Sequence, residues 1–166
     1  MKKQVIILSS ALFLLAACGG GSTESTETTT TPTEETANVN ENEIEVDINA
    51  GDDMKFDVTE ITVKEGQTVK LTLNHTGKSP VTAMGHNFVL LAQGVDLTKF
   101  AEAAIAAKDT KYIPAGSEND IIAHTDMIGG GESTEIEFTA PAKGEYEFLC
   151  SFPGHSAMMK GKFIVE

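Results

Sequence analysis

The chain has 166 residues, including 25 Asp or Glu and 12 Lys or Arg, so its formal net charge at pH 7 is −13. This length allows one domain with a terminal extension. The excess of negative charge would repel nucleic acid and anionic lipid headgroups, and it favours a basic or an uncharged partner surface.

The N-terminus has the composition of a secretory signal. A basic start, MKK, precedes the apolar run VIILSSALFLLAA, which ends directly before Cys18. This pattern predicts a cleaved leader over residues 1–17, and the run is too short to predict a transmembrane span. The end of the leader, LLAAC, resembles the lipobox of bacterial lipoproteins. The alternative is an ordinary leader that happens to end in a cysteine.

If the lipobox is used, Cys18 carries lipid and becomes the mature N-terminus, and loss of the leader lysines changes the formal charge to −15. Several acyl chains on one residue would hold the protein stably on a membrane. The expected location is the bacterial cell envelope, on the periplasmic or extracellular side of a membrane.

Residues 18–42 are rich in Thr and Glu and have almost no apolar side chains. Such a segment cannot bury a core, so we expect it to be disordered. As a flexible coil it would reach about 25–30 Å. It is therefore predicted to tether the folded domain, residues 43–166, to lipidated Cys18.

Short alternating runs begin at Glu43. β-Branched or aromatic residues recur there at every second position, and Gly- or Pro-rich turns separate the runs IEVDI, MKFDV, ITV, TVKLTLNH, HNFVLLA, DIIAHT, STEIEFTA, GEYEFLC and GKFIVE. About eight strands in this length predict an all-β domain, an antiparallel sandwich or barrel.

One segment departs from this period. Between Asp96 and Lys108 the apolar residues recur at helical spacing, and Asp96 is a suitable N-cap. We predict one helix, docked on the outside of the sheets by a stripe that comprises Leu97, Phe100, Ala101, Ala104 and Ile105.

The C-terminal stretch CSFPGHSAMMKG places three soft metal ligands close together. Cys150 ends a predicted strand, His155 follows a turn, and Met159 comes just before the last strand. A loop tied to strands at both ends can direct these side chains at one point. If Cys18 is lipidated, Cys150 has no intramolecular disulfide partner, so burial or metal binding must protect it from oxidation.

A trigonal site needs a second histidine, and the candidates are His75, His86 and His124. His86 is favoured because it begins a strand and follows a glycine that permits close backbone approach. His75 and His124 are more readily explained as structural residues. Two histidines and one cysteine with a long axial methionine form the ligand set of blue-copper electron-transfer sites.

The segments MGHNFVL, IIAHTDMIGGGE and CSFPGHSAMMKG resemble those of azurin, a cupredoxin, and the resemblance runs from about Glu43 to the C-terminus. His75 lies eleven residues before His86, which is an azurin-like distance. The resemblance implies a Greek-key cupredoxin fold and one copper ion that cycles between Cu(I) and Cu(II).

By position, the family implies that His86, Cys150 and His155 bind the copper. Met159 would supply the axial thioether, and the Gly85 carbonyl oxygen would approach from the opposite side. Around these ligands, the implied supporting residues are Asn87 and the Phe152 backbone amide, which hydrogen-bond near the sulfur, and Ser151, which helps Asn87 join the two loops.

Three features depart from the soluble azurins. The azurin disulfide has no cysteines here, the chain has no Trp, and Phe88 follows His86–Asn87 where azurins usually have an indole. The tether and lipobox resemble those of membrane-anchored members of the family. None of these departures affects a ligand.

The function that we expect is a lipid-anchored electron carrier and not an enzyme. A hydrolase or thiol transferase with a Cys150–His155 pair would leave Met159 and His86 without a role. A protein that stores or delivers copper would use the same ligands, so it remains the alternative. Implied partners are redox proteins, such as a c-type cytochrome or a terminal reductase or oxidase.

The family fold also implies a docking face. His155 would reach the surface at one end of the sandwich, inside an apolar ring formed by Met84, Pro153, Gly154, Ala157 and Met158. In a chain of this net charge, such an apolar ring indicates a surface for partners.

Overall fold

A computed structural model describes residues 41–166. The predicted signal peptide, Cys18 and nearly all of the predicted tether therefore lie outside the described residues. No helix in the part of the chain that is described has the length and apolar character needed to cross a membrane.

Eight strands and two short α-helices form the domain. In chain order they are β1 (Glu43–Ala50), β2 (Glu60–Val63), β3 (Thr68–His75), α1 (Val81–Met84), β4 (Val89–Leu91), α2 (Leu97–Ile105), β5 (Ile121–His124), β6 (Ser133–Thr139), β7 (Gly144–Leu149) and β8 (Lys160–Val165). One sheet has the order β1-β3-β6, and the other has the order β2-β8-β7-β4-β5.

The predicted all-β sandwich is confirmed, but its strands are not all antiparallel. β1 pairs in parallel with β3, and β2 pairs in parallel with β8. The chain leaves the first sheet after β1, forms β2 in the other sheet and then returns as β3. The chain reverses its direction twice between β1 and β3, so these two strands run the same way. The other strand pairs of both sheets are antiparallel, so both sheets are mixed. Among the described residues the two sheets stay separate, and the barrel alternative is wrong.

The core lies between the two sheets. Along β3 every second side chain is buried, including Val69, Leu71 and Leu73, which are fully inaccessible to solvent. From the opposite sheet, the rings of Phe148 and Phe163 are equally buried. This period-two pattern is the signal from which the strands were predicted.

One of the predicted strand runs, MKFDV, is not a strand. Phe56 from this run forms only an isolated bridge with Ala50, and its ring packs 5.8 Å from that of Phe148. Phe56 fills part of the core from an irregular loop. An apolar residue that is buried in this way gives the same sequence pattern as a residue in a strand.

The helices also differ from the prediction. α1 is a second helix of only four residues after Pro80, too short to produce a periodic signal. α2 begins directly after Asp96, whose carboxylate accepts hydrogen bonds from the backbone amides of Thr98 and Lys99. It ends at Ile105, before a 3₁₀ turn at Lys108–Thr110, and thus three residues earlier than predicted.

The predicted docking stripe of α2 is only partly buried. Leu97, Phe100 and Ala104 are buried, and Leu97 and Phe100 pack against residues of β4 and β7, with Ala101 partly buried beside them. The predicted stripe also includes Ile105, but 57% of the surface of this residue is exposed. The helix is short and ends at this residue, so its last turn does not pack on the sheet.

Candidate metal centre

The pairing of β4 with β7 positions the centre. Val89 lies opposite Leu149 in the antiparallel register of these strands. His86 precedes β4 and Cys150 follows β7, so both side chains lie at the same end of the sheet. The loop from Ser151 to Met159 then returns to β8, the strand on the other side of β7.

His86 is completely buried, and its two ring nitrogens differ in their surroundings. Nε2 lies 2.9 Å from the Gly51 carbonyl oxygen and therefore carries the proton that it donates. Nδ1 is buried without a hydrogen-bond partner in the described part of the chain. Burial lowers the pKa of His86, against the opposing effect of the bond to Gly51. The free lone pair of Nδ1 is available to a metal.

Cys150 is the buried thiol of the centre. Its Sγ lies 3.8 Å from the Gly85 carbonyl oxygen, and its backbone amide donates to the Met159 carbonyl at 2.9 Å. Burial raises the pKa of the thiol to about 11, although hydrogen bonds from the backbone amides of Asn87 and Phe152 oppose this effect. A metal ion would have to displace the proton, and the two amides already face the sulfur where negative charge would remain.

His155 opens a short 3₁₀ turn after Gly154, which adopts a left-handed φ of 84°. Its Nδ1 lies 3.7 Å from the Cys150 sulfur. Burial, with smaller effects from His86 and His75, lowers the pKa of His155 to about 4. The imidazole is therefore neutral at physiological pH, as a metal ligand must be. Only 4% of its surface is exposed, so it reaches the surface only at its edge.

His86, Cys150 and His155 offer one ligand atom each, and these atoms lie within 4.8 Å of one another. The unpartnered Nδ1 of His86 points to a missing partner, since a buried polar atom without one is costly. Two imidazoles and one thiolate suit a soft transition metal, copper above all when an axial thioether is near. The residues present fit copper.

Met159 and Gly85 flank these three residues. Met159 is fully buried in the same cluster as Cys150, and its backbone amide donates to the His155 carbonyl at 2.8 Å. A Cβ atom at Gly85 would lie 2.6 Å from the Val81 carbonyl oxygen and 2.9 Å from the Met127 sulfur. Only glycine fits there, and this lets the main chain approach the thiol.

Asn87 joins the two ligand loops. Its side-chain oxygen accepts from the Ser151 backbone amide at 2.9 Å, and its side-chain nitrogen donates to the Ser151 hydroxyl at 2.8 Å. Both residues are buried. These bonds fix the strand end that carries Cys150 relative to the segment that carries His86.

The other two histidines lie outside this cluster. His124 is exposed at the end of β5. His75 is buried, and its ring stacks on that of His86 with centroids 4.3 Å apart and an interplanar angle of 16°. His75 therefore supports a ligand through packing, which its spacing from His86 did not reveal.

Tyr112 is a second feature that the sequence did not reveal. Its ring packs edge-on against Phe152 with centroids 5.1 Å apart, and Phe152 in turn packs 4.6 Å from His155. Tyr112 and Lys111 both adopt positive φ, 64° and 54°. This conformation costs on the order of 1–3 kcal/mol at each non-glycine residue, and no sequence signal marks it.

Comparison with known proteins agrees with this geometry. The family model for copper-binding proteins of the plastocyanin/azurin family matches residues 42–166. The chain belongs to this family of blue-copper cupredoxins, whose members are in general single-electron carriers. The predicted resemblance is thus confirmed, as is copper as the cofactor.

The chain is 40% identical to azurin from Pseudomonas chlororaphis over 129 residues, which are 75% of this chain and 99% of that one. It is 35% identical to auracyanin-A from Chloroflexus aurantiacus over 162 residues, which are 96% of this chain and 93% of that one. Reduced auracyanin from Roseiflexus castenholzii has a similar structure, with a TM-score of 0.66 and 39% identity over 74% of this chain and 96% of that one.

The assignment of the axial ligand can be tested by substitution. We expect Met159→Leu to keep copper bound and to raise the reduction potential, because loss of a weak donor disfavours Cu(II) more than Cu(I). A shift of about 59 mV or more would correspond to at least a tenfold change in relative affinity for the two oxidation states. Protein-film voltammetry measures it.

Met158→Leu is the matched control for this variant. Met158 is adjacent in sequence but 60% exposed, so the potential should stay close to that of the unaltered protein. A larger shift in Met158→Leu than in Met159→Leu would show that Met158, and not Met159, supplies the axial thioether.

Proposed function

We propose that this chain is a lipid-anchored blue-copper protein that carries single electrons between redox partners at the bacterial cell envelope. The observation that carries the proposal is the convergence of His86, Cys150 and His155 in a buried site. Family membership supports copper and electron transfer, and the N-terminal sequence supports the anchor.

The enclosure of the site favours electron transfer over catalysis. Catalytic metal sites keep one position open to water or substrate. Here His86, Cys150, His155 and Met159 are buried, and the Gly85 carbonyl oxygen lies 3.8 Å from the Cys150 sulfur. In the proposed site, the Met159 thioether and the Gly85 carbonyl would occupy the remaining positions. When bound, copper would supply a one-electron couple, while the protein would hold the ligands and exclude water.

The ligands are also held by bonds that do not depend on the metal. The bond between the Cys150 amide and the Met159 carbonyl, and the bond between the Met159 amide and the His155 carbonyl, close the ligand loop on itself. The Asn87–Ser151 pair joins this loop to the His86 segment. A site fixed in this way changes little between oxidation states, which favours fast electron transfer.

A thiol enzyme is not supported by the same geometry. A nucleophilic cysteine needs a lowered pKa and access to its substrate. The pKa of Cys150 is instead raised to about 11, and its side chain is fully buried. The Cys150–His155 contact therefore belongs to a metal site.

Cys150→Ser tests the copper assignment. We expect the variant to lose the intense blue absorption of the Cu(II) protein, because a hydroxyl oxygen cannot replace the covalent, low-energy sulfur donor. Absorption spectra after copper loading measure the effect, and Met158→Leu should keep the blue band. Undiminished blue absorption in Cys150→Ser would contradict the proposed site.

Copper storage or delivery without a redox partner is the alternative function. It uses the same ligands, so it differs only in what happens after loading. Rapid reduction and reoxidation of the copper protein by a c-type cytochrome, followed in a stopped-flow experiment, would favour electron transfer. Copper loss to a chelating acceptor without any electron exchange would favour storage.

Electrons are proposed to pass through the edge of His155, at the docking face of Met84, Pro153, Gly154, Ala157 and Met158. Gly154, Ala157 and Met158 are exposed, and Met84 and Pro153 are partly exposed. In this proposal the imidazole would bind the metal on one side and face this apolar ring on the other. Contact between two such faces would shorten the distance between cofactors.

Met84→Lys tests the docking face without a known partner. We expect electron self-exchange to fall roughly tenfold or more, because two like charges would meet when the faces approach each other. Line broadening in NMR spectra of mixed Cu(I) and Cu(II) protein measures the exchange rate. The blue absorption and the reduction potential should change little.

Thr139→Lys is the control, since it adds the same charge at the exposed far end of β6. Thr139 lies opposite Thr68, the first residue of β3, whereas His75, which stacks on His86, is the last residue of that strand, roughly 20 Å away. An unchanged self-exchange rate in Met84→Lys, or an equal decrease in both variants, would contradict the proposed face.

The envelope location is proposed from the leader and from LLAAC, which ends at Cys18. The alignment with auracyanin-A covers 96% of the chain, so it extends into the N-terminal segment and supports that segment as part of the protein. Lipid on Cys18 would then join the copper domain to a membrane through the predicted tether.

Cys18→Ser tests this anchor. Without the thiol to be acylated, the protein should appear as an unlipidated precursor or in the soluble fraction, with the blue absorption of the domain unchanged. Membrane fractionation and the mass of the N-terminal peptide measure both outcomes. Complete retention in the membrane would mean that another anchor exists.

A further inference from the structure

Asp52 connects two loops next to the copper ligands. It lies in the loop after β1, and its carboxylate accepts hydrogen bonds from the backbone amides of Lys78 at 3.0 Å and Ser79 at 3.3 Å. The first of these bonds is the main cause of its lowered pKa. The charged carboxylate therefore joins the loop after β1 to the loop after β3.

The residue before Asp52 holds a copper ligand. The Gly51 carbonyl oxygen accepts the Nε2 proton of His86 at 2.9 Å, and it also accepts the Met54 backbone amide at 3.2 Å. A neutral imidazole has one proton for two nitrogens. With Nε2 protonated, the lone pair of His86 must lie on Nδ1, the buried atom that has no partner.

The second loop holds the ring that stacks on this ligand. The Gly77 amide donates to Nδ1 of His75 at 3.1 Å, and Nε2 of His75 donates to the Met84 carbonyl at 2.8 Å. A Cβ atom at Gly77 would overlap the carboxylate of Asp52 and crowd the His75 ring. Asp52 therefore packs directly against the segment that orients His75.

We propose that Asp52 is a positioning residue for the copper site. It fixes the Gly51 carbonyl on one side and the His75 stack on the other, so that His86 keeps its Nε2–H tautomer and presents Nδ1 to the metal. This role rests on the proposed copper site, but its effect on His86 exists without copper. Partners one shell beyond the ligands commonly fix the tautomer and orientation of a histidine, and Asp52 acts through such a partner.

The test compares Asp52→Asn and Asp52→Ala with Asp53→Asn, a change at the neighbouring exposed residue. The Asn variant keeps the shape but turns an NH₂ group toward one of the two backbone amides. The Ala variant removes both hydrogen bonds. Asp52→Asn keeps the test decisive if Asp52→Ala does not fold.

The first measurement uses copper-free protein. Long-range ¹H–¹⁵N NMR spectra report the tautomer of His86 and the solvent exchange of its Nε2 proton. We expect pure Nε2–H tautomer in the unaltered protein and in Asp53→Asn. Both Asp52 variants should show faster exchange of this proton and a mixture of tautomers. A pure Nε2–H tautomer with unchanged exchange in both Asp52 variants would overturn the proposal, even if the protein binds copper.

The second measurement is Cu(II) affinity, determined by competition with a chelator, together with the electron paramagnetic resonance spectrum. We expect a loss of affinity on the order of tenfold in Asp52→Ala. This is at the low end of the effects observed when residues that orient metal ligands are replaced. A smaller loss is expected in Asp52→Asn, and altered copper hyperfine splitting in both.

Weakened binding without any change in tautomer, proton exchange or hyperfine splitting would mean that Asp52 is merely structural, and would also overturn the proposal. Equal effects in Asp53→Asn would do the same. If the unaltered protein had no blue site, the proposed function would fail, while the copper-free NMR result would still decide whether Asp52 orients His86.

Discussion

The antiparallel pairing of β4 with β7 is the constraint on which the site depends. It aligns Val89 with Leu149 and Leu90 with Phe148, so His86 and Cys150 emerge at the same sheet end although 64 positions separate them in the chain. The side chains that hold this register are fully buried, and a slip by one residue would turn each of them to the opposite face. The geometry of the ligands is thus fixed by the core of the sandwich.

Much of this arrangement could be predicted from local sequence. The ligands Cys150, His155 and Met159 fall within ten positions, and period-two burial marks most strands, β3 most clearly. Strand direction could not be predicted in the same way, because the alternation of buried residues is identical in parallel and antiparallel pairs. The parallel pairs follow from β2 joining the opposite sheet, which is a property of the whole chain path.

The features that the sequence did not reveal share a physical cause. The His75–His86 stack, the Gly51 carbonyl and the Tyr112 ring each act through contacts between distant loops. A main-chain carbonyl leaves no trace in residue identity, and glycine at position 51 gives no hint of the bond that it accepts. Short helices such as α1 are hidden for a related reason, since four residues span barely one turn.

Burial of the ligands creates a cost that copper can offset. Without metal, the domain must enclose an unpartnered imidazole nitrogen of His86, a neutral His155 and the protonated thiol of Cys150. Unsatisfied polar groups of this kind destabilise a folded protein. Copper binding would satisfy all three donors at once, and a ligand that binds only the folded state stabilises that state. The same burial that excludes water from the redox centre would therefore link the stability of the domain to its metal.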